Sequence, residues 1–554
     1  MPGGLLNIVA FGNQNVFLNG NPSKTLFKCT YAKHTNFGLQ KFRLDYDGLR
    51  TLRLTEPSTF QFKVLRYAEL LMDTYLVVNL PTIWSPILPP KDCQGEWRPY
   101  EFKWIENLGS QMIKQVTFTV GGQIIQKFSG QYLLNLVERD FSESKKQVYY
   151  AMTGHTAELN DPAYADKFNI GYPNAYYTAS PQGAEPSIRA RKLYIPLNIW
   201  FTLAAKMAFP LVSLQYNELQ IEVELRPINE LYVVRDVTGS IETNVNAFTY
   251  GPANPNDTLF QFYRFLQTPP NVELDYTNAD KRTNWFADVH LLSTYAFLTE
   301  DESKVFAAND QQMLIKQVYE YKFPNVTGSK KVKLESLSMV ANWMWFFQRS
   351  DVDLRNEWSN YSNWAYQDAR PQALSRPVSV PYLNIPNCGN FTPYIDPLNN
   401  SQTSIYITGD YNVANQKEIM QNWALLLDGK YRENVLDAGV FNYVEKYARS
   451  PGNAPDGLYC YNFCLNTNPL EYQPSGALNM SKFKNIEFEF STYLPPLDPN
   501  AQVFVICNPE GGNVVGVNKP TWRIYNYNFD LTVMEERYNV LSFTSGNAGL
   551  LYAR

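Results

Sequence analysis

The sequence predicts an all-β protein of at least two domains, with long surface loops and few short helices. Its 554 residues exceed what a single hydrophobic core usually serves, so the chain is expected to divide. Aromatic residues make up 15% of the chain, with 38 Tyr and 33 Phe, and such side chains favour strands. The 35 Pro and 29 Gly supply turns and interrupt long helices.

Individual strands are marked by apolar and polar residues that alternate with a period of two. The runs 116–120 and 123–128 alternate in this way and are joined by Gly121 and Gly122. Because glycine readily adopts a positive φ, these two residues predict a tight hairpin turn. The same alternation occurs at 219–225, 486–490 and 525–533. One polar and one apolar face per strand is typical of antiparallel sheets in a β-sandwich.

Two short helices and a domain boundary are also predicted. Residues 129–140 carry apolar side chains at helical spacing. Thr299 and Glu302 form a capping-box pattern that opens a helix ending near Ala308. This second helix separates two strand-rich halves, which open on strand-like runs at 25–40 and 313–323. The predicted division is an N-terminal arm at 1–25, a first sandwich at 26–298, a helical linker at 299–310, a second sandwich at 311–540 and a C-terminal tail at 541–554.

Long connections rich in Asn, Pro, Gly and Tyr separate the predicted strands, at 153–190, 236–258 and 350–415. Loops of this length are uncommon in compact domains unless they have a function. The third loop contains several aromatic residues, namely Trp358, Tyr361, Trp364 and Tyr366. These side chains favour ordered surface projections over disorder.

Charge and cysteine content restrict the partners and the compartment. The net charge is −5 and no long basic run occurs, so direct nucleic-acid binding is not expected. Six cysteines are sparse for this length, which favours reduced thiols and a cytoplasmic origin over a secreted disulfide framework. The N-terminus lacks the basic start of a signal peptide. No apolar stretch reaches the ~18 residues that a membrane span needs.

The common catalytic motifs do not occur in this sequence. Its three histidines, His34, His155 and His290, lie far apart, and the last falls in an apolar run that favours a buried structural role. No zinc-protease, nucleophile-elbow, Walker A or dinucleotide-binding pattern occurs. Cys460 and Cys464 make half of a zinc site without a second pair nearby, so two small buried residues on one strand face are favoured. The chain is therefore expected not to be an enzyme and to need no cofactor.

A carbohydrate-binding or carbohydrate-active β-sandwich protein is the alternative function. Paired carboxylates such as Glu222 and Glu224 could serve a glycosidase, and Trp343 and Trp345 could form a sugar-binding platform. Both pairs also have a structural interpretation. Carboxylates on the polar phase of a strand are ordinarily solvated, and a sandwich core needs tryptophans equally.

Candidate glycosylation sites occur in Asn-x-Ser/Thr triplets at Asn256, Asn325 and Asn390. Such triplets arise by chance in a chain rich in Asn. They act as acceptors only in a secretory compartment, so this prediction depends on where the protein is made.

Several segments, taken in order, resemble the major capsid proteins of nucleocytoplasmic large DNA viruses, particularly mimivirus-like and algal-virus members. The most specific are QPSGALNMS at 473–481 and YNVLSFTSGNAGLLY at 538–552. Residues 31–34 depart from the more basic pattern of the family. Further matching segments lie at 3–14, 18–22, 104–130, 210–219 and 295–307.

The resemblance implies a double jelly roll, which is two eight-stranded antiparallel β-sandwiches in tandem. It also implies a major capsid protein that self-assembles into homotrimers with a pseudo-hexagonal outline. These capsomers would tile the icosahedral outer shell of a large double-stranded DNA virus. The expected partners are further copies of the chain and minor capsid proteins, and the expected location is the virion, assembled in the host cytoplasm.

The family also suggests an N-terminal arm beneath the capsomer, which corresponds here to residues 1–25. Five apolar side chains in it have little reason to be exposed on a monomer. We therefore expect them to make contacts between subunits or under the shell. They are Leu5, Leu6, Ile8, Val9 and Phe11.

Overall fold

The structure, a computed structural model, describes most of the chain. The described residues are 3–88, 98–165, 172–173, 185–235, 250–251, 261–268, 280–367, 371, 415–498, 504–507, 514–518 and 524–552.

Strands of the N-terminal half form the first sandwich and its accessory ribbons. One sheet has the order β1-β14-β3, with β9 and β10 on the far side of β3, and the facing sheet has the order β2-β11-β7-β8. The strands are β1 (Phe37–Asp45), β2 (Ser58–Val64), β3 (Leu70–Leu80), β4 (Ile87–Leu88), β5 (Arg98–Pro99), β6 (Phe102–Trp104), β7 (Ile113–Val120), β8 (Gln123–Phe128), β9 (Arg191–Pro196), β10 (Phe209–Pro210), β11 (Leu219–Leu225), β12 (Tyr232–Arg235), β13 (Tyr250–Gly251) and β14 (His290–Leu298).

The C-terminal half forms a second sandwich. Its sheets have the orders β15-β25-β17-β20 and β16-β22-β18-β19, with β21 and β26 added to the first of them. The strands are β15 (Gln311–Phe323), β16 (Ser329–Leu334), β17 (Met339–Arg349), β18 (Met420–Leu427), β19 (Lys430–Asp437), β20 (Leu458–Asn462), β21 (Leu478–Asn479), β22 (Ile486–Thr492), β23 (Phe504–Cys507), β24 (Val514–Asn518), β25 (Phe529–Thr544) and β26 (Asn547–Leu550).

The two sandwiches repeat one strand order. The eight sandwich strands of the first half correspond one to one, in chain order, with those of the second half, and each set pairs in the same pattern. The first set is β1, β2, β3, β7, β8, β9, β11 and β14, and the second set is β15, β16, β17, β18, β19, β20, β22 and β25. Every pairing between these strands is antiparallel. The chain therefore contains the same eight-stranded unit twice, although no sequence repeat is visible.

Seven of the nine α-helices in the described residues lie between strands, and the other two precede β1. A π-helical turn, Val440–Val444, runs directly into the last of them. The α-helices are α1 (Gly3–Val9), α2 (Val16–Asn19), α3 (Leu108–Met112), α4 (Gly130–Asp140), α5 (Glu143–Thr153), α6 (Ala157–Asn160), α7 (Trp200–Leu203), α8 (Glu300–Ala308) and α9 (Glu445–Arg449).

Most of the short-range predictions are confirmed. Gly121 and Gly122 form the turn between β7 and β8, with φ of 57° and 81°. Alternation in β11 gives a strand whose every second residue is buried, as the sequence predicts. The hydroxyl of Ser129 accepts a hydrogen bond from the Tyr132 amide, so α4 begins one residue after its cap.

Three local predictions are wrong in part. The run predicted at 25–40 becomes a strand only from Phe37, because the residues before it have no neighbouring strand to pair with and are exposed. Thr299 precedes α8 as predicted, but its side chain makes no capping hydrogen bond, so the predicted capping box does not form. Cys460 and Cys464 are both buried but do not share a strand, since β20 ends at Asn462.

The longest predicted strand differs most from expectation. β25 begins at Phe529 instead of 525, and it continues to Thr544 before β26 returns beside it. Its residues 531–537 are all buried, so it has no polar face in this stretch. The face of β25 that points away from the second core is shielded from water because the first sandwich packs against it.

The aromatic residues of the third long loop point inward. Tyr361 is buried, and Trp358, Trp364 and Tyr366 are half-buried, so the prediction that they form surface projections is wrong for 350–367. Tyr361 and Trp358 pack against the core of the first sandwich, whereas the Trp364 indole donates to the carbonyl of Asn415 in the second half. Most of the predicted loops, including 236–249 and 372–414, lies outside the described residues.

Candidate functional site: the junction between the sandwiches and the exposed arm

Helix α4 joins the two sandwiches. It belongs to the first sandwich by sequence, yet only Glu138 among its eleven residues is not buried. The Tyr132 hydroxyl donates to Glu536 Oε1 at 2.9 Å, and Asn135 Nδ2 donates to Met534 Sδ at 3.7 Å. The helix therefore covers the outer face of β25 in the second sandwich.

The burial of β17 shows that one sheet serves two cores. Trp343, Trp345 and Phe347 point into the core of the second sandwich. Met344 and Phe346, on the opposite face, belong to the hydrophobic cluster of the first sandwich. A hydrophobic core therefore continues across the junction, which explains why every residue of this strand from Val340 to Phe347 is buried instead of every second one.

A buried cluster of charges lies under the C-terminal end of α4. Arg139 is fully buried and donates to Asp140 Oδ1 and Oδ2 at 3.0 and 2.6 Å. It also donates to Glu536 Oε1 at 2.9 Å and to Asn342 Oδ1 at 2.8 Å. Thr467 donates to Asp140 Oδ1 at 2.6 Å. One guanidinium thus binds carboxylates from both halves of the chain.

Glu536 is ionised despite its burial. Asn342 Nδ2 donates to Oε2 at 2.9 Å, and Lys316 Nζ lies 3.4 Å from the same oxygen. Burial by itself would raise the pKa of Glu536, but the Arg139 and Lys316 cations and the neutral donors outweigh it and lower the pKa to about 2. The two cations and the Asp140 and Glu536 carboxylates balance in charge, which a buried site requires.

The residues that follow β17 make a second link. Asn356 Nδ2 donates to the carbonyls of Asn229 and Tyr232 at 2.9 and 3.0 Å. Trp358 Nε1 donates to the carbonyl of Glu230 at 3.0 Å. In these contacts, side chains of the second sandwich donate hydrogen bonds to backbone carbonyls of the first. Directional hydrogen bonds as well as hydrophobic burial therefore hold the two sandwiches together.

A third link joins the two family-like segments at 210–219 and 538–552. Backbone amides of Gln215 and Tyr216 donate to the carbonyl of Gly546, at 2.9 and 3.2 Å. The rings of Phe209 and Phe543 lie 5.4 Å apart, edge to face. These segments therefore lie at the junction in the structure.

The N-terminal arm makes no comparable contact. Its predicted assembly residues are all exposed, from 44% for Leu5 to 76% for Phe11. Exposure continues through Leu26 and Phe27 up to β1, with only Asn15 half-buried among the residues described there. A run of large apolar side chains in water is unfavourable on a monomer and marks an interaction surface.

Of the three predicted glycosylation sites, one lies in the described residues. Asn325 is exposed in the turn between β15 and β16, with a left-handed φ of 56°. Asn256 and Asn390 lie outside the described residues.

The residues considered for catalysis or sugar binding are not brought together as a site. Trp343 and Trp345 are fully buried, so they cannot form a sugar platform. His290 is buried in β14, where Nδ1 lies 2.6 Å from the carbonyl of Asp288. Burial raises the pKa of the Cys460 thiol to about 11, which disfavours the thiolate that a metal needs. Within the described ranges no group of three His, Cys, Asp or Glu could hold a metal ion.

None of the helices in the described part of the chain is long and apolar enough to cross a membrane.

The charge of Glu536 has a testable pH dependence. Because its folded pKa of about 2 lies below the ordinary 4.5, ionised Glu536 stabilises the fold above pH 4.5, and this contribution is lost as the pH falls toward 2. Glu536→Gln is therefore expected to cost about 3 kcal/mol at neutral pH. Its difference from the wild type should shrink in acid, as measured by urea unfolding from pH 7 to 3.

The matched control is Glu487→Gln, which changes a carboxylate on the solvent side of β22. Its effect should stay within about 0.5 kcal/mol at every pH. A Glu536→Gln difference that is constant or grows in acid would show that Glu536 is not held ionised by the cluster.

Two eight-stranded antiparallel sandwiches of identical strand order, in tandem and joined through a shared core, define a double jelly-roll protein. Two family models match this chain, "Major capsid protein N-terminus" over residues 25–267 and "Large eukaryotic DNA virus major capsid protein" over 302–549. The chain belongs to the major capsid proteins of large eukaryotic DNA viruses.

Individual relatives agree with this assignment. The major capsid protein of Phaeocystis pouchetii virus is 26% identical, with both chains covered completely. Among solved structures, the Faustovirus major capsid protein has a TM-score of 0.59 at 13% identity, covering 98% of this chain and 96% of the other. The PBCV-1 capsid protein has a TM-score of 0.58 at 18% identity, covering 96% and 100%. The predictions of a double jelly roll and of a structural capsid protein, not an enzyme, are confirmed, and its location is the virus capsid.

Proposed function

We propose that the chain forms homotrimeric capsomers with a pseudo-hexagonal outline, which tile the icosahedral shell. The observation that carries this is the repetition of one strand order in two sandwiches held as one body. Three copies would bring six similar units around one axis, and such a block can pack edge to edge on a flat facet. The carbohydrate-binding alternative has no support, since its tryptophan platform is buried.

The arm has a separate role in this proposal. Residues 1–25 lie beneath the capsomer and bury Leu5, Leu6, Ile8, Val9 and Phe11 against neighbouring capsomers or minor capsid proteins. Their exposure on the isolated chain supports this, because burying them would remove a large apolar area from water.

Further parts of the proposal follow from the sequence. The shell makes no direct contact with the genome, since the chain is acidic, with a net charge of −5. Assembly takes place in the host cytoplasm. Asn325 is exposed and is the glycan acceptor to examine first if the chain enters a secretory compartment. We keep as a proposal the division of the chain into 1–25, 26–298, 299–310, 311–540 and 541–554. The last of these segments contains the end of β25 and the whole of β26.

Light scattering of the purified protein tests the trimer. The expected mass is about 190 kDa, three times the 63.7 kDa chain, at micromolar concentration. A stable monomer or dimer would contradict the proposal.

The arm is tested in the same preparation with Leu6, Ile8 and Phe11 all changed to Ser. Trimers should persist, while assembly into larger arrays, seen by electron microscopy, should be lost because the apolar contact area is removed. The control changes Asn13 and Asn19 to Ser, which alters polar positions of the same arm and should leave assembly intact. Arrays formed normally by the triple variant would exclude the arm from the lattice contacts.

A further inference from the structure

A cavity of about 520 Å³ lies at one end of the second sandwich. It is found where β17 begins, with β21 paired on one side of that strand and β25 on the other. The junction contacts of segment 538–552 involve Phe543 and Gly546, which do not line this cavity. The two family-like segments at 473–481 and 538–552 supply four of its nine lining residues, namely Asn479, Ser481, Asn539 and Tyr552.

Arg537 is the one charged side chain among the described residues that line the cavity. It is only 3% exposed, and its guanidinium lies over the ring of Tyr319. Nη1 donates to the carbonyl of Leu337 at 3.3 Å, whereas the buried Nη2 has no hydrogen-bond acceptor in the described part of the chain. A buried cationic nitrogen without an acceptor is unfavourable, so this nitrogen indicates a missing anionic partner.

The carboxylate of the same strand that lies beside Arg537 does not supply that partner. Glu535 Oε1 is 3.7 Å from Nη1 of Arg537, which is too far for a hydrogen bond. This carboxylate instead accepts hydrogen bonds from Trp343 Nε1 at 2.8 Å and from the Tyr321 hydroxyl at 3.4 Å. Nη2 of Arg537 therefore remains available for a second carboxylate, the group that a guanidinium binds most specifically.

Two neutral donors line the cavity together with the arginine. Ser481 Oγ accepts from the amide of Ser338 at 2.9 Å, so its own hydroxyl hydrogen can be donated elsewhere. Asn479 Oδ1 accepts from the amide of Ser481 at 3.1 Å, so Nδ2 is the donor end of that side chain. A hydroxyl, an amide and a guanidinium can thus share one small anionic group.

The rim of the cavity is apolar. Leu337 and Met339 are 39% and 41% exposed, and Tyr552 is 63% exposed. A buried cation surrounded by exposed apolar side chains suits a carboxylate that is carried on a peptide with apolar neighbours. Nucleic acids and anionic lipid surfaces are ordinarily bound by several cations, and a single cation lines this cavity in the described residues.

The cavity lies at the end of the molecule from which the arm leaves. The arm reaches β1 at Phe37, which pairs with the last residue of β14. The linker 299–310 continues from there to Gln311, which starts β15 beside the end of β25. β17 also starts at this end, with Met339 paired to β25. A protein that lies against this end of the chain can therefore reach the arm and the cavity together.

We propose that this cavity binds an acidic side chain from a segment of another protein, with its carboxylate on Arg537 and its apolar neighbours on the rim. The site is complete within one chain and does not depend on the proposed trimer. It goes beyond the proposed function, because it assigns a binding site and a chemistry to a partner that is not a copy of the chain.

Two capped tripeptides test the site by isothermal titration calorimetry on the full-length protein. They are leucine-glutamate-leucine and leucine-glutamine-leucine, each acetylated and amidated, so that they differ only in the charge of the central residue. The glutamate peptide is expected to bind about 10-fold more tightly, because a hydrogen bond to a charged group is stronger than one to a neutral group. Acetate and inorganic phosphate are titrated in parallel and should bind more weakly, since neither contacts the apolar rim.

Asn479→Asp tests the position of the bound peptide. Aspartate keeps the acceptor for the Ser481 amide, and it adds a negative charge to the cavity. The affinity for the glutamate peptide should fall about 10-fold or more, while the urea midpoint stays unchanged.

The matched control is Asn468→Asp, which should bind the peptide as the wild type does. Asn468 Oδ1 accepts from the Leu470 amide at 3.0 Å in the same kind of turn, but Asn468 does not line this cavity.

Arg537→Gln tests the cation itself and should abolish the preference for glutamate over glutamine. If the loss of this buried arginine unfolds the protein, Asn479→Asp still decides the matter, because it alters the same cavity at a half-buried position.

Equal affinity of the two peptides for the wild type, or no detectable binding of the glutamate peptide at millimolar concentration, would overturn the proposal. So would undiminished binding to Asn479→Asp. Phosphate that binds as tightly as the glutamate peptide would show a site for free anions and would also overturn the assignment to a protein partner. None of these results concerns the mass of the oligomer, so failure of this site and failure of the proposed function are distinguishable.

Discussion

Arg139→Met is expected to lower the free energy of unfolding by about 3–5 kcal/mol, because it leaves Asp140 and Glu536 buried with one cation fewer between them. Methionine keeps most of the volume of the arginine stem, so the loss reports on charge more than on packing. The measurement is the urea midpoint, followed by tryptophan fluorescence. Since Arg139 joins the two sandwiches, its loss should also loosen the junction itself.

Two further variants serve as controls for that result. Arg53→Met removes an exposed arginine paired with Glu56 and should change stability by less than about 1 kcal/mol. Arg139→Met combined with Asp140→Asn restores the charge balance of the cluster and should recover part of the loss. An Arg139→Met protein as stable as the wild type would show that the buried cluster does not hold the junction.

Gly130→Ala is the second substitution expected to lower stability strongly. It tests how closely α4 packs against the first sandwich, because it adds a methyl group without changing charge. A Cβ at this position would lie 1.9 Å from the carbonyl oxygen of Ser110 and 2.4 Å from that of Ile113. Both obstacles are backbone atoms, so the helix would have to move away from the first sandwich. We expect a loss of about 3 kcal/mol, seen as a lower urea midpoint and a lower yield of trimer.

The control for this substitution is Gly3→Ala in α1, where an added Cβ would meet no atom within 4 Å. It should leave stability unchanged. Normal stability of Gly130→Ala would mean that α4 does not approach β7 as closely as the structure shows.

Local structure was predictable where one residue pattern determines it. The Gly121-Gly122 hairpin, the alternating strand β11 and the helix after Ser129 each follow from short-range preferences. Family-like segments supplied the double jelly roll, which alternation alone could not, because many β-sandwiches share that pattern.

The junction was not predictable from the sequence, because it depends on which strand faces meet. Alternation reveals one buried face, whereas β25 is buried on both, and the second face is covered by a helix that contacts it across 404 positions of the chain. A signal was present in Glu535, Glu536 and Arg537, three consecutive charged residues in the middle of the strand. Buried charges require partners, but the sequence does not say that Arg139 is one of them.

The prediction for the third loop failed for a related reason. The length of this loop predicts a surface projection, and its aromatic residues predict that the projection is ordered. In the structure Tyr361 is buried against Asn135 of α4, with its hydroxyl 2.9 Å from the amide oxygen. Length alone cannot distinguish a projecting loop from one that folds back into a junction.

A single-particle reconstruction of the purified wild-type protein tests the central claim most directly. The account predicts three copies around a threefold axis, with six sandwiches in a hexagonal outline. A monomer, or an oligomer without threefold symmetry, would contradict it.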